Sequence, residues 1–503
     1  MRVVEMLSAI LFLCLTLGVS GSILYEGGTI LAFNETTQRV DVLRNASLLI
    51  EGDTITRVSE ARLRSGIPTN TTIINATDKI ISPGYIDTHT HLWQTPFKTI
   101  GSNTSLAEYF QKYSEFSQAE QYFTTDDLYL AQLVGSLERL HVGTTTVLDH
   151  AHASFSNETT DACINGSLDS GVRTVYGHAI HIIPNGWSWE DQLQKFRALT
   201  QDARFNHHSV LTLGLAYDDF YDAPAPNITE LWNITKASNL SAVTSHYLGG
   251  PWGHSNSAEV LQARGWLNDT IPVVLAHASF MTYRDAQILR ETNQYISTTV
   301  ESELHFGHNH PYAHLIQDQA SLGIDCHFTY SSSMVNQGRM WLQILRASQY
   351  LAPLENWEVP KNNPVSVEQA FYLITRAGAL ALRRPDLGII REGAKADLVV
   401  FDTSAPNMLG WSDPIAAIIL HSDVGDIEDV IVNGIFKKQG GRLLYENYKE
   451  VSTRLTTSAK RIQKIWADTD FAPLEGNFDS GEGGTPYTTA TIIDTLRGNG
   501  TGY

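Results

Sequence analysis

Cysteine is nearly absent from this 503-residue chain, which has only Cys14, Cys163 and Cys326. Cys14 falls in an amino-terminal segment that reads as a leader, and the other two thiols are far apart in sequence. Both are expected to be free, and a disulfide scaffold is excluded. Positive charge is scarce too. With 35 Lys and Arg against 54 Asp and Glu the net charge is -19, whereas nucleic acids and anionic membranes select basic patches, so neither is an expected partner. Past the leader no apolar run approaches the length of a spanning helix. What is present, 42% hydrophobic and 18% charged residues, is ample for a globular core, and the length suits one large domain with a smaller companion.

Residues 1–21 read as a secretory signal: Arg2, an apolar run from Met6 to Val19, then Ser20 and Gly21. The mature chain then starts near Ser22. It is expected to be secreted or in the endomembrane lumen, with no membrane contact once the signal is cleaved. Asn-x-Ser/Thr sequons at Asn34, Asn45, Asn70, Asn75, Asn103, Asn157, Asn165, Asn227, Asn233, Asn239, Asn268 and Asn499 support that route and predict a glycoprotein.

Residues 22–83 read as short strands and turns, with Ala46–Ile50 and Thr54–Val58 flanking the turn at Glu51-Gly52-Asp53. From 84 to 384 apolar strands alternate with helical stretches. The strands are Tyr85–Ile86, Thr144–Leu148, Arg173–Tyr176, Val210–Ala216, Ser241–Ser245, Ile271–Ala276, Tyr295–Val300 and Leu322–Ile324. Eight such units are the pattern of an α/β fold, a parallel (β/α)8 TIM barrel. Thr124 to Asp127 signal a helix with an apolar face of Leu130, Leu133, Val134, Leu137 and Leu140, and Ser366 with Gln369 form a capping box in a helix over Asn362–Leu382. Strands at Asp397–Phe401 and Val430–Val432 make 385–445 β again, expected to complete with 22–83 one small discontinuous β-sandwich. Residues 446–503 are read as a C-terminal helix and, beyond about 475, a loose tail rich in Gly, Thr and Ser.

Chemistry enters at His89-Thr90-His91. Residues two apart share a face of a strand, so one strand aims both imidazoles at a common point, which suits a metal. In barrels the working residues stand at the carboxyl ends of strands. Those ends here carry His89 and His91, then Asp149, His150 and His152, then His178 and His181, then Tyr217 and Asp218, followed by His246, His277, Glu301 with Glu303, and Asp325. Asp149, His152 and His178 are expected to line the pocket or support its ligands. The loop His305–His314 is expected to be a pocket wall rather than a second metal site.

His-x-His on strand one, a histidine closing strand five (Val243–His246), another closing strand six (Val274–His277) and Asp325 closing strand eight resemble the amidohydrolase superfamily, nearest its cytosine deaminase and atrazine chlorohydrolase branch. Leu387–Leu398 is similar to the segment with which those enzymes re-enter their β-sandwich. The likeness spans roughly residues 23–440. It implies a single divalent metal held by His89, His91, His246 and Asp325, with His277 near the activated water or substrate. Three imidazoles and a carboxylate suit Zn²⁺ best, and Fe²⁺ fits too. Strand four has no lysine that could be carbamylated to bridge two metals, which favours one ion.

One position departs from the resemblance. Deaminases of the branch place a proton-shuttling glutamate three residues after the strand-five histidine; here Gly249 stands there. Asp325 and Glu303 are the candidates to move the proton instead. Glu303 in Thr298–His308, with Trp93-Gln94, is similar to a subgroup that also lacks that glutamate. The expectation is a metal-dependent hydrolase acting on carbon–nitrogen bonds other than peptide bonds, opening a C–N or related bond of a small cyclic molecule through a metal-activated water. His277 would stabilise the developing anion and Asp325 relay the proton. The alternative on the same fold is a metal-dependent lyase, decarboxylase or cyclising enzyme of small-molecule biosynthesis. A small-molecule substrate is the expected partner either way, and the sequence leaves a homo-oligomer open.

Overall fold

A computed structural model describes residues 21–205, 210–268, 270–308, 316–478 and 484–493. The leader before Gly21, the part of the histidine loop from 309 to 314 and Asn499 lie outside the described residues.

Eight parallel strands form the barrel: Tyr85–Thr90, Thr144–Ala151, Arg173–Ala179, Leu211–Ala216, Val243–Tyr247, Val273–His277, Tyr295–Thr298 and Ala320–Leu322. They are the expected strands, with ends moved by a few residues for identifiable reasons. The seventh stops at Thr298 because a helix, Val300–Phe306, starts at once. The expected long helix over Asn362–Leu382 is two, Val367–Ile374 and Arg376–Ala381, broken at Thr375. There the backbone leaves the helical region (φ -126°, ψ -92°) while the Thr375 hydroxyl turns back onto the Phe371 carbonyl at 2.6 Å, the side-chain competition that bends helices.

The ring closes at the seam between first and last strands, and Gly323 permits it. A Cβ there would come within 2.9 Å of both the amide nitrogen and the carbonyl oxygen of His89, so only glycine allows the approach. Just beyond, the amides of Ile324 and Asp325 donate to the His89 carbonyl at 3.1 and 2.8 Å. Asp87 ties the same seam, its Oδ1 accepting from the amides of His89 at 3.2 Å and Ile324 at 3.0 Å. Its Oδ2 accepts from Nε of Arg139 at 3.1 Å; this guanidinium, fully buried on helix Thr125–His141, also donates to Thr90 Oγ1 at 2.6 Å.

Both chain ends build the second unit. Five strands from residues 23–83 and four from 398–443 make one nine-stranded sheet, joined where Lys79–Pro83 pairs antiparallel with Leu398–Asp402. Alternation along Leu398–Asp402 serves two cores: Leu398 and Val400 pack inside the sheet unit, Val399 and Phe401 against the barrel. The buried pair Arg173–Asp397, at 2.8 and 3.0 Å, ties the third barrel strand to this unit. The segment expected to be a loose tail is partly anchored. After helix Tyr448–Asp468, Phe478 packs on Phe110 and Trp252 with ring centroids 5.6 Å from each.

Removing Arg139 leaves the Asp87 carboxylate buried without its counter-ion, so Arg139→Ala is expected to cost about 3–5 kcal/mol. Urea unfolding followed by circular dichroism reads it as a lowered midpoint; a change within the roughly 0.5 kcal/mol typical of surface substitutions would contradict the seam's dependence on this pair.

Candidate metal centre

Strands one, five and eight deliver four donors to one point. His89, His91, His246 and Asp325 each offer a ligand atom, all mutually within 4.8 Å. Nε2 of His89 is 3.4 Å and Nε2 of His91 3.0 Å from Asp325 Oδ1, and the Nε2 atoms of His91 and His246 are 3.3 Å apart. Donors placed tetrahedrally at bond lengths of about 2.0–2.2 Å are roughly 3.3–3.6 Å from one another, so the set is close to the spacing one ion requires. His89 supplies the independent sign. It is fully buried; its Nδ1 has no partner and its Nε2 has only the long 3.4 Å approach to Asp325 Oδ1, a costly state for an imidazole unless it ligates.

Neighbouring groups turn the rings. Asp218 Oδ2 lies 2.8 Å from Nδ1 of His246, and Asp218 Oδ1 accepts the His246 amide at 2.7 Å. Nδ1 of His91 donates to the His150 carbonyl at 2.9 Å. Each bond places the proton on Nδ1 and leaves Nε2 as a lone-pair donor. His150, Asp218 and His246 form a second close group, but it shares His246 through Nδ1, which the Asp218 carboxylate already occupies. At the same strand ends His277, Ala278 and Asp325 have φ of +70°, +51° and +65°, left-handed values uncommon for non-glycine residues.

The donors open on a narrow cavity of about 70 Å³, whose apolar walls include Tyr109, Phe110, Phe116, Leu248 and Phe306. His277 and His308 face it, their rings 4.8 Å apart; His277 Nδ1 meets Thr299 Oγ1 at 2.9 Å. A larger cavity of about 690 Å³, lined by Phe33, Trp341 and Arg376 among others, lies apart from the histidines.

Burial dominates the electrostatics. It holds His277 and His152 neutral, well below the usual imidazole range, and pushes Glu303 up to about 8 and Glu115 to about 7. Asp325 goes the other way. Burial alone would raise it, but hydrogen bonding to His89 and His91 keeps it well below the usual carboxylate range.

The residues expected at the site are not all equally placed. His89, His91, His246 and Asp325 converge, with His277 beside them. Glu303 is not among the cavity-lining residues: its Oε1 accepts the Thr299 amide at 2.8 Å and lies 3.8 Å from His277 Nδ1, because the helix it belongs to turns it back on its own first turn. His152 lines the cavity, while His178 lies outside the lining and meets Ser154. Asp149 is supporting, bonded by Gln132 and the Leu92 amide. Of the wall loop, Phe306 and His308 line the cavity as expected. Cys163 and Cys326 are free and buried. Gly249 has φ +73° and lies 3.1 Å, through an added Cβ, from Phe280, so a glutamate there would be strained. Asp87 and Arg139 had no signal that marked them, and Glu115 lay on a loop without a motif.

Residues 80–436 match the model of the Amidohydrolase family. The 5-methylthioadenosine/S-adenosylhomocysteine deaminase of Pyrococcus horikoshii is 24% identical over 378 residues, 72% of this chain and 84% of its own length. The 5'-deoxyadenosine deaminase of Methanothermobacter thermautotrophicus is 24% identical over 395 residues, 75% and 86% of the two chains. Among solved structures, an adenosine deaminase from Xanthomonas campestris with bound zinc superposes with a TM-score of 0.74 at 18% identity, covering 88% of this chain and 99% of that one. Atrazine chlorohydrolase from Arthrobacter aurescens TC1, complexed with zinc, gives 0.71 at 18% identity over 87% and 100%. At such identities these structures are alike in fold.

If Asp218 turns His246, Asp218→Asn should keep the fold and weaken metal affinity about 10–100-fold. Competition against a chromophoric chelator measures it; affinity equal to wild type would mean that His246 is oriented without the carboxylate.

Proposed function

Because this chain belongs to the amidohydrolase family, we propose that it is a metal-dependent hydrolase opening a C–N or related bond of a small cyclic molecule, with one divalent ion, zinc by preference, on His89, His91, His246 and Asp325. The convergence of three Nε2 atoms and a carboxylate oxygen in a buried pocket carries the reading. Relatives named as deaminases and zinc-bound structural neighbours support the bond class and the ion. A cavity of about 70 Å³ is far below the roughly 300–1,000 Å³ of pockets for drug-sized ligands, which favours a compact ring.

A divalent ion in this place supplies Lewis acidity and brings water within reach of deprotonation near neutral pH. Asp325 is the acceptor for that proton; its Oδ2 is steadied by the Ser302 hydroxyl. His277 faces the cavity with Thr299 Oγ1 2.9 Å from its Nδ1; in the tautomer with the proton on Nε2 it binds the oxygen that gains charge as the carbon is attacked. Glu303 holds Thr299 and His277 from behind. Gly249 favours a second reading, a lyase, decarboxylase or cyclisation step, since no acid follows His246 on its own strand.

We also read the chain as a secreted or lumenal glycoprotein. Apart from Asn499, the sequon asparagines are all exposed or half-buried, and no helix among the described residues is long and apolar enough to cross a membrane.

His89→Ala should abolish both bound metal and turnover, and unchanged metal content in that variant sinks the ligand assignment. A panel of cyclic amides, amidines, esters and amino-substituted heterocycles, run with zinc-loaded protein in ¹⁸O-water and followed by mass, separates the two reactions. Hydrolysis puts one solvent oxygen into product; a Lewis-acid rearrangement leaves product unlabelled.

A further inference from the structure

We propose that Glu115 is the general acid of the reaction, the group that protonates the leaving nitrogen, and that Trp93, His152 and Gln94 position it. The proposal rests on the hydrolytic reading above. Four acids line the cavity: Glu115, Asp218, Asp219 and Asp325. Two are engaged, Asp218 with His246 and His150, Asp325 with His89, His91 and Ser302. Asp219 is half-buried. Glu115 is 8% exposed, opens on the cavity, and has the neutral His152 ring beside it, with Nε2 3.8 Å from Oε2.

The tautomer of His152 is fixed from its far side. Trp93 Nε1 donates to His152 Nδ1 at 2.8 Å, so the neutral ring carries its proton on Nε2, directed at Glu115. At 3.8 Å this is too long for a hydrogen bond; the ring flanks the carboxyl and leaves its proton free. Gln94 holds the loop itself, donating to Tyr109 Oη at 2.9 Å and to the Tyr113 carbonyl at 3.2 Å, two residues before Glu115. The two residues that follow Leu92, directly after the ligand His91, therefore fasten the acid by its ring neighbour and by its backbone.

Protonation suits the role. Burial pushes Glu115 up to about 7, against the lowering effect of its own backbone amide and of His246 and His91, with Asp218 raising it further; Tyr109 and Cys326 also face it. Water adds its oxygen to the electrophilic carbon and loses a proton to Asp325. The C–N bond breaks with its electron pair on nitrogen, and Glu115 gives that nitrogen its carboxyl proton. Exchange with solvent on product release deprotonates Asp325 and reprotonates Glu115, so the net change is one water consumed.

Glu115→Gln keeps the shape and removes the proton. Infrared difference spectra of zinc-loaded wild type and variant need no substrate. The expected result is a protonated-carboxyl band that persists above about pH 6 in wild type and is missing from the variant; ionisation near the ordinary glutamate value of about 4.3 overturns the proposal. On a panel compound that wild type hydrolyses, the variant should keep its zinc and KM, lose about 100-fold or more in kcat, and lose the basic limb of the kcat profile. Trp93→Phe, which frees the His152 ring, should shift that limb rather than remove it. An unchanged pH profile with kcat within a few-fold, or loss of zinc from Glu115→Gln, overturns the assignment. If no compound is turned over while zinc is bound, the hydrolytic reading fails, and the infrared band alone decides the state of Glu115.

Discussion

The candidate site depends on the seam where the barrel closes. Asp87 is buried there with one oxygen shared between the amides of His89 and Ile324 and the other on Arg139. One carboxylate thus fixes, to within a residue, two ligands that are far apart in sequence. Burying a charge is unfavourable unless it is paired and hydrogen-bonded; Arg139 and the two amides meet that demand together. Gly323 removes the steric obstacle, and the His89 carbonyl then takes both following amides. Register between first and last strands is set by these contacts, and a slip of one residue would turn His89 away from Asp325.

Around this seam the ligands are oriented in layers. Asp218 and the His150 carbonyl hold the outer nitrogens of His246 and His91, so that the inner nitrogens converge. Such outer partners set tautomer and direction. The same logic extends to the substrate side: Trp93 sets the tautomer of His152, and Gln94 fixes the loop that carries Glu115. Metal, nucleophile and acid are thus referred to one strand, Tyr85–Thr90, and the turn that follows it.

Much of this was legible before the structure, for a physical reason. Strand alternation has period two and barrel chemistry stands at strand ends, so His89, His91, His246, His277 and Asp325 announced themselves by position. What depended on tertiary contact did not. Arg139 lies beside an apolar stripe and reads as solvated until Asp87 is seen opposite it. The break at Thr375 comes from one hydroxyl turned to a carbonyl, a choice that helix periodicity does not encode. Glu303 was legible as an acid near strand seven, yet it caps its own helix. Glu115 lies 24 residues beyond His91, and only folding brings its loop over the ligands.

The central claim is that His89, His91, His246 and Asp325 share one ion. Anomalous diffraction at the zinc edge, from crystals of the protein grown with equimolar zinc, tests it most directly. One peak is expected, bonded to the three Nε2 atoms and to an Asp325 carboxylate oxygen at about 2.0–2.2 Å. A peak at His150, Asp218 and His246 instead, or a second ion of equal height beside the first, would contradict it.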